Sequence, residues 1–420
     1  MRVHCLASHH LIFRSHSSSR YSVAALLGSI ETDHRLNDLQ VSAPLELSDN
    51  MIQREVERGQ VIIAQSVMST QINRVYHETK RIRDRFGESV LLVGGGPHAS
   101  ARPKELIRKG FDFVVIGEGE KVFRDLMYSL INHDEPTKID GVVTEEDVSM
   151  PKPRDRPRVS LDDYPPFALG LNILGPVEVT RGCPFACKFC CTPFLTGGSV
   201  RHRSADSVVY WLEQAVERRG FKRTWFLSPN ALSYGGKGRR VVPDKLERLL
   251  KESASVEGLE EVFFGAFPSE VRPEFVTKQV LEMMRTYVAN DTLQIGLQSA
   301  SDKVLEYSNR HHTVREGLDA VEIALDCGFT PHVDMIFGLP GESRKELDDS
   351  IEMCEMLSDM GAKVHGHVFM PLPGSAFENM PPGKLDQDSR STLGEFSRRG
   401  ILTGSWSSQE ALATRLASPE

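Results

Sequence analysis

Short apolar runs alternate with amphipathic stretches along most of this 420-residue chain. In the first third, His4–Phe13, Gly59–Ser66, Ser89–His98 and Phe111–Glu120 read as strands, the last two running into glycines. Tyr21–Ile30, Gln71–Phe86 and Pro103–Lys109 carry helical spacing between them. Continuous apolar strands separated by helices imply a parallel sheet covered on both faces. A proline-rich basic stretch, Met150–Arg158, followed by Tyr164-Pro165-Pro166, interrupts the pattern. Proline fixes φ and removes a donor, so residues 150–169 read as a linker. Alternation then becomes regular. Six strand-like runs (Pro176–Thr180, Thr224–Leu227, Glu261–Phe267, Thr292–Leu297, His332–Phe337 and Lys363–Met370) are separated by five helix-like ones (Ala205–Arg219, Asp244–Ser253, Val276–Val288, Val314–Cys327 and Ser343–Met360). Such a repeat predicts a partial (β/α)6 barrel, with chemistry at the carboxyl ends of its strands. The expected division is therefore an α/β domain over 1–149, a linker over 150–169, a barrel over 170–381 and a weakly periodic tail over 382–420, helical or partly disordered.

Composition changes this picture little. Forty per cent hydrophobic and 26% charged residues suit an aqueous globular protein, and a net charge of −8 argues against wholesale nucleic-acid coating. No run of 18 apolar residues appears, so no membrane span is expected, and the first ten residues lack the apolar core of a signal peptide. The expected location is the cytoplasm. Between Arg201 and Arg240, nine basic residues face three acidic ones, which reads as a solvated face of the barrel rather than a nucleic-acid patch.

The cysteines carry the sharpest signal. Cys183, Cys187 and Cys190 fall within eight residues, spaced Cx3CxxC, directly after the first barrel strand. Three thiolates on one tight loop can hold three irons of a [4Fe–4S] cluster and leave the fourth iron open. A structural zinc site completed by Cys191 or His202 is the rival, although zinc more often uses separated CxxC pairs and no second pair exists. Cys5, Cys327 and Cys354 read as small core hydrophobes. His365 and His367, two apart on a strand, share a face that points into the barrel and read as substrate-pocket lining in preference to metal ligands. Upstream, glycines end two successive strands at Gly94-Gly95-Gly96 and Gly117-Glu118-Gly119. They let the backbone approach a bulky cofactor, with His98 and Glu118 beside it, or they are only turns.

Cys183-x3-Cys187-x2-Cys190 with Phe189 before the last cysteine, Ile295–Ser301 and Asp334–Glu342 together resemble the radical S-adenosylmethionine (SAM) superfamily over roughly residues 170–375. The upstream Gly94–His98 and Val115–Glu120 segments resemble the cobalamin-binding-like domain that precedes many such barrels. The resemblance implies that Cys183, Cys187 and Cys190 ligate the cluster and that its open iron chelates SAM. Reductive cleavage of SAM then gives a 5′-deoxyadenosyl radical that abstracts hydrogen from a small-molecule or peptide substrate. Phe189, Ser228, Asn230, Gln298, Ser299, Gly338 and Gly341 would surround SAM. Gly94, Gly95, Gly96, His98, Gly117, Glu118 and Gly119 would surround cobalamin, should the domain retain it. A flavodoxin or ferredoxin would supply the electron.

The chain departs from the family in three places. Ser228–Asn230 stands where an acidic turn is frequent, Gln298 stands where glutamate is frequent, and no Asp-x-His-x-x-Gly string supplies a cobalt-ligating histidine. C–H functionalisation, with cobalamin-dependent methylation as one form, is the leading expectation. An RNA methylthiotransferase-like enzyme is an alternative weakened by the absence of three further N-terminal cysteines, and a non-catalytic iron–sulfur carrier or sensor ranks last.

Overall fold

The computed structural model describes residues 8–147 and 152–417. Cys5 lies outside them. The chain divides into two compact units, Met1–Gly175 and Pro176–Glu420. This boundary differs from the expected ones, since residues 152–169 fall with the first unit and the tail falls with the second.

The first unit is one six-stranded sheet: β1 (Ser8–Arg14), β2 (Leu39–Ser42), β3 (Gly59–Ser66), β4 (Val90–Gly95), β5 (Phe113–Val115) and β6 (Val142–Val143). Their order is β2-β1-β3-β4-β5-β6, with only β6 antiparallel. Helices cover both faces, as the unbroken apolar strands predict. Leu11, Phe13 and Ile62 meet Leu27, Phe123 and Leu126 on one side. Ile12, Val61 and Ile63 meet Ile52, Val75 and Ile82 on the other.

Two expectations are corrected here. The run Phe111–Glu120 is a strand only over Phe113–Val115, because a 13-residue helix starts at Gly119. The proline-rich stretch is also no free linker beyond its undescribed start. Phe167 and Ala168 are buried, Arg156 Nη2 donates to the Ser100 carbonyl at 3.1 Å, and the Val159 N–H donates to Glu118 Oε2 at 2.9 Å. Chain with only short 3-10 turns is thus used as packing.

The second unit opens with β7 (Val177–Glu178), then a small antiparallel pair, β8 (Thr180–Arg181) and β9 (Arg201–His202). The series continues with β10 (Arg223–Leu227), β11 (Glu261–Phe263), β12 (Thr292–Gln298), β13 (Thr330–Phe337), β14 (Lys363–Val368) and β15 (Leu402–Thr403). The parallel strands form two arcs, β11-β10-β7 and β12-β13-β14-β15, bridged by the Val271–Ile295 pair. The helices Ala205–Arg219, Val314–Asp326 and Arg344–Asp359 lie where their periodicity predicts. The tail takes the helical alternative: Gln387–Arg399 and Trp406–Ala417 are helices, and β15 pairs in parallel with β14. No helix among the described residues is long and apolar enough to cross a membrane.

Candidate active site

The cysteine loop has a pinched neck. β8 pairs with β9, and at Gly182 (φ +92°) an added Cβ would lie 2.3 Å from the Ser199 carbonyl oxygen. Only glycine fits that approach. Within the loop the Cys183 N–H donates to the Gly197 carbonyl at 3.1 Å, and Cys190 N–H to the Cys187 carbonyl at 3.0 Å. A distant segment holds the loop from outside. Asn309 Nδ2 donates to the carbonyls of Phe185 (2.8 Å) and Ala186 (3.0 Å), and the Lys188 N–H donates to that of Ser308 (3.0 Å).

Two buried guanidiniums converge on one thiol. Arg310 Nη1 lies 3.5 Å and Arg272 Nη1 lies 3.7 Å from Cys187 Sγ. Arg272 also covers the Phe185 ring at 3.7 Å and pairs with Glu274 at 2.6 Å. Burial pushes the Cys183 thiol up to about 11 and the Cys190 thiol upward as well, so iron has protons to displace from these two. Burial takes Cys191 to about 12. The three cysteines do not crowd as the ligands of one ion would. Among the described residues, the only group of three whose ligand atoms lie within 4.8 Å of one another is Asp334, His365 and His367. Spread thiols on one loop, with two cations beside them, fit an anionic cluster better than a single zinc ion.

Phe189, between the second and third cysteines, lines a cavity of about 230 Å³ together with Glu270, Gln298, Asp334, His367 and Gln409. Gln298 stands at a bulge where the β12–β13 register slips, with φ +81°, a strained conformation for a side chain of its size. Glu270 lies over the strand beside it. A Cβ on Gly296 would fall 1.8 Å from Glu270 Oε1, so glycine there leaves room for the carboxylate. Burial raises the Glu270 pKa while Arg310, 3.6 Å away, pulls it down; the enclosed side chain keeps 35% of its surface, open to the cavity. Burial also works to raise Asp334, but hydrogen bonds from His365, His367 and Gln294 outweigh it and hold the carboxyl at about 2.

The other anticipated SAM contacts are placed differently. Ser299 is fully buried and accepts from the Ser301 N–H at 3.2 Å. Ser228 and Asn230 are buried after β10, where Asn230 Oδ1 accepts from the Arg272 N–H at 3.3 Å. Ser228 Oγ and Asn230 Nδ2 have no partner, which leaves room for a polar ligand group. Gly338 and Gly341 shape a turn. Both have positive φ, and a Cβ on Gly338 would meet Gly383 Cα at 2.8 Å, while one on Gly341 would meet the Tyr307 ring at 3.1 Å.

In the first unit most of the anticipated glycines are filled by the protein itself. A Cβ on Gly94 would meet Leu106 at 2.8 Å, on Gly96 Ser66 Oγ at 2.9 Å, on Gly119 Leu26 at 2.8 Å and on Gly117 Arg156 at 3.4 Å. Gly95 alone has no atom nearer than 3.7 Å. Glu118 is occupied by the Val159 N–H, and buried His98 contacts Ser69 Oγ at 3.0 Å through Nδ1.

The strand order reverses between β1 and β3, and α/β sheets bind ligands outside the carboxyl ends at that point. Buried polar atoms without partners gather there: both Nε2 and Oε1 of Gln65, and Nε2 of His16. These are the first unit's fit to an amide-rich cofactor. The sequence signal for this edge is Arg14-x-His16-x-x-Ser19, which places a histidine just after β1.

Comparison with known proteins finds two family models along the chain. The radical SAM superfamily matches residues 177–354, and the B12 binding domain matches residues 13–127. The chain carries a radical SAM domain behind a B12-binding domain. A radical SAM domain implies a [4Fe–4S] cluster and SAM, and a B12-binding domain implies cobalamin. An uncharacterized protein of Methanopyrus kandleri is 26% identical over 375 residues, covering 76% of this chain and 68% of the relative. An uncharacterized methyltransferase of Pyrococcus horikoshii is 26% identical over 290 residues, covering 66% and 60%. A tRNA-2-methylthio-N(6)-dimethylallyladenosine synthase of Caldicellulosiruptor saccharolyticus is 26% identical over 284 residues, covering 65% and 55%. The fold is similar to that of the radical SAM methyltransferase TsrM from Kitasatospora setae, solved with cobalamin and a [4Fe–4S] cluster (TM-score 0.66, 15% identity, 89% of this chain and 74% of that one). It is also similar to the cobalamin-dependent radical enzyme OxsB with aqua-cobalamin bound (TM-score 0.65, 15% identity, 83% and 52%). The chain thus spans about half to three quarters of the length of these proteins.

Proposed function

We propose that this enzyme methylates, or otherwise functionalises, an unactivated carbon of a small-molecule or peptide substrate, with cobalamin as methyl carrier. One observation carries the reading: the loop that presents Cys187 to Arg272 and Arg310 also puts Phe189 into the wall of a cavity shared with Glu270 and Gln298. Cys183, Cys187 and Cys190 would hold the cluster. Bound together, cluster and SAM supply a one-electron route to a carbon radical, and cobalamin supplies a transferable methyl group.

The chain's own residues do the rest. Arg272 and Arg310 offset negative charge at Cys187, and their near-complete burial keeps that effect from being screened. Gln298 and Glu270 offer hydrogen-bonding groups to ribose or amine. Ser228 Oγ and Asn230 Nδ2 are held ready for polar ligand atoms. In the first unit, Gln65 and His16 would meet cobalamin at the carboxyl edge. A flavodoxin or ferredoxin would deliver the electron.

A tRNA methylthiotransferase activity, the name borne by some relatives, has less support, because residues 8–175 contain no cysteine for a second cluster. Anaerobically reconstituted protein with dithionite, cobalamin and SAM should yield 5′-deoxyadenosine. No product above background with an intact cluster would refute the reading.

A further inference from the structure

We propose that Asp334, His365 and His367 form a mononuclear divalent-cation site in the barrel wall, of the zinc class, which anchors a nitrogen- or oxygen-bearing group of the substrate. Alternation along β14 puts both histidines on one face. Asp334 on β13 is paired in register with His365. His365 Nδ1 is 3.0 Å and His367 Nε2 is 3.6 Å from Asp334 Oδ1, and the three ligand atoms lie within 4.8 Å of one another. A zinc ion about 2.0–2.2 Å from each of three N/O ligands holds neighbouring donors roughly 3.3–3.6 Å apart, so the His367 separation already fits and the His365 one needs to open by a few tenths of an ångström.

The surroundings suit a metal site at every point but Gln409. The imidazoles stand at 80° with centroids 4.4 Å apart, so they do not stack away from a shared centre. His365 is pressed by Gly404, where a Cβ would lie 2.7 Å from its ring. Gln294 Nε2 donates to Asp334 Oδ1 at 2.7 Å and orients the carboxylate. Gln409, from the last helix, lies 3.2 Å from His367 Nδ1. Three protein ligands leave positions open, and Asp334 and His367 face the same cavity as Phe189 and Gln298, where a substrate would sit.

Gln409 gives the proposal a sharp edge. Its Oε1 now accepts from the Val368 N–H at 3.0 Å, so its amide nitrogen faces His367 Nδ1. Metal at Nε2 moves the imidazole proton to Nδ1, and the amide must then turn its oxygen to that proton and release Val368. A carboxylate at position 409 would serve both donors at once.

The role in anchoring substrate rests on the proposed function, but zinc retention does not. Cluster-loaded protein is equilibrated with zinc, desalted and examined by elemental analysis and zinc-edge X-ray absorption. The expected result is about one zinc per chain with a first shell of nitrogen and oxygen only, near 2.0–2.1 Å. His365→Ala combined with His367→Ala should abolish retention, and Gln409→Glu should tighten it several-fold. Sulfur in the first shell, no retained zinc, equal retention by the double variant, or no tightening by Gln409→Glu would overturn the proposal. Failure to form 5′-deoxyadenosine with zinc in place would sink the proposed function and leave this site standing.

Discussion

Both units end their parallel strands in glycines, yet the two carboxyl edges are used differently. In the first, Gly94, Gly96 and Gly119 are where Leu106, Ser66 and Leu26 press in, so the glycines serve packing. In the second, Gly296 makes room for the Glu270 carboxylate beside a cavity. A glycine after a strand therefore says that something comes close, and only the neighbour says whether the reason is packing or chemistry. Buried polar atoms without a partner also stand at both edges: Gln65 and His16 in one, Ser228 and Asn230 in the other.

The hardest test of this contrast is at the cysteines. Replacing Cys183, Cys187 or Cys190 by alanine should abolish the brown cluster absorbance and all turnover, whereas Cys191→Ala should keep both. Next comes the Gly338–Glu342 turn. Burial drives the Glu342 carboxyl up to about 7, against the Gly338 and Leu339 N–H groups that favour its charged form. The folded chain keeps a proton that the unfolded chain has released, so stability is lost as pH rises from about 4.5 to about 7, by up to roughly 3 kcal/mol. Glu342→Gln should flatten this difference in denaturant melts across that range; an unchanged slope would contradict it.

Gly94→Ala should cost about 1–3 kcal/mol through the clash with Leu106 and Phe111, while Gly95→Ala should stay within about 0.5 kcal/mol. Equal costs would break the distinction between packed and open glycines. The smallest effect separates stability from binding. Gln65→Leu removes a buried amide with no partner and should stabilise the cobalamin-free protein by about 1–2 kcal/mol. The same change should weaken cobalamin retention about tenfold. Loss of stability together with unchanged retention would make Gln65 an ordinary core residue.

How much the sequence revealed follows the same divide. Strand β3 and helix Ala205–Arg219 are readable residue for residue, because their periodicity is unbroken. The Gly119–Ile131 helix is hidden by the glycines at its start. The tail helix Gln387–Arg399 is only faintly marked, because it buries little besides Leu393 and Phe396. At the site, Cys183, Cys187 and Cys190 announce themselves by spacing, and Gln298 by its segment. Glu270, Arg310 and Gln409 carry no local pattern. They meet only because the segments that follow β11 and β12 converge with the last helix, and His367 is legible as lumen-facing while its partner Asp334 is not.

The central claim is that the cysteine loop holds a cluster whose open iron faces SAM at this cavity. Electron–nuclear double resonance on the reduced cluster with SAM carrying a ¹⁵N-labelled amino group tests it most directly. A resolved ¹⁵N coupling is the predicted result; an intact reduced cluster with saturating SAM and no coupling would contradict it.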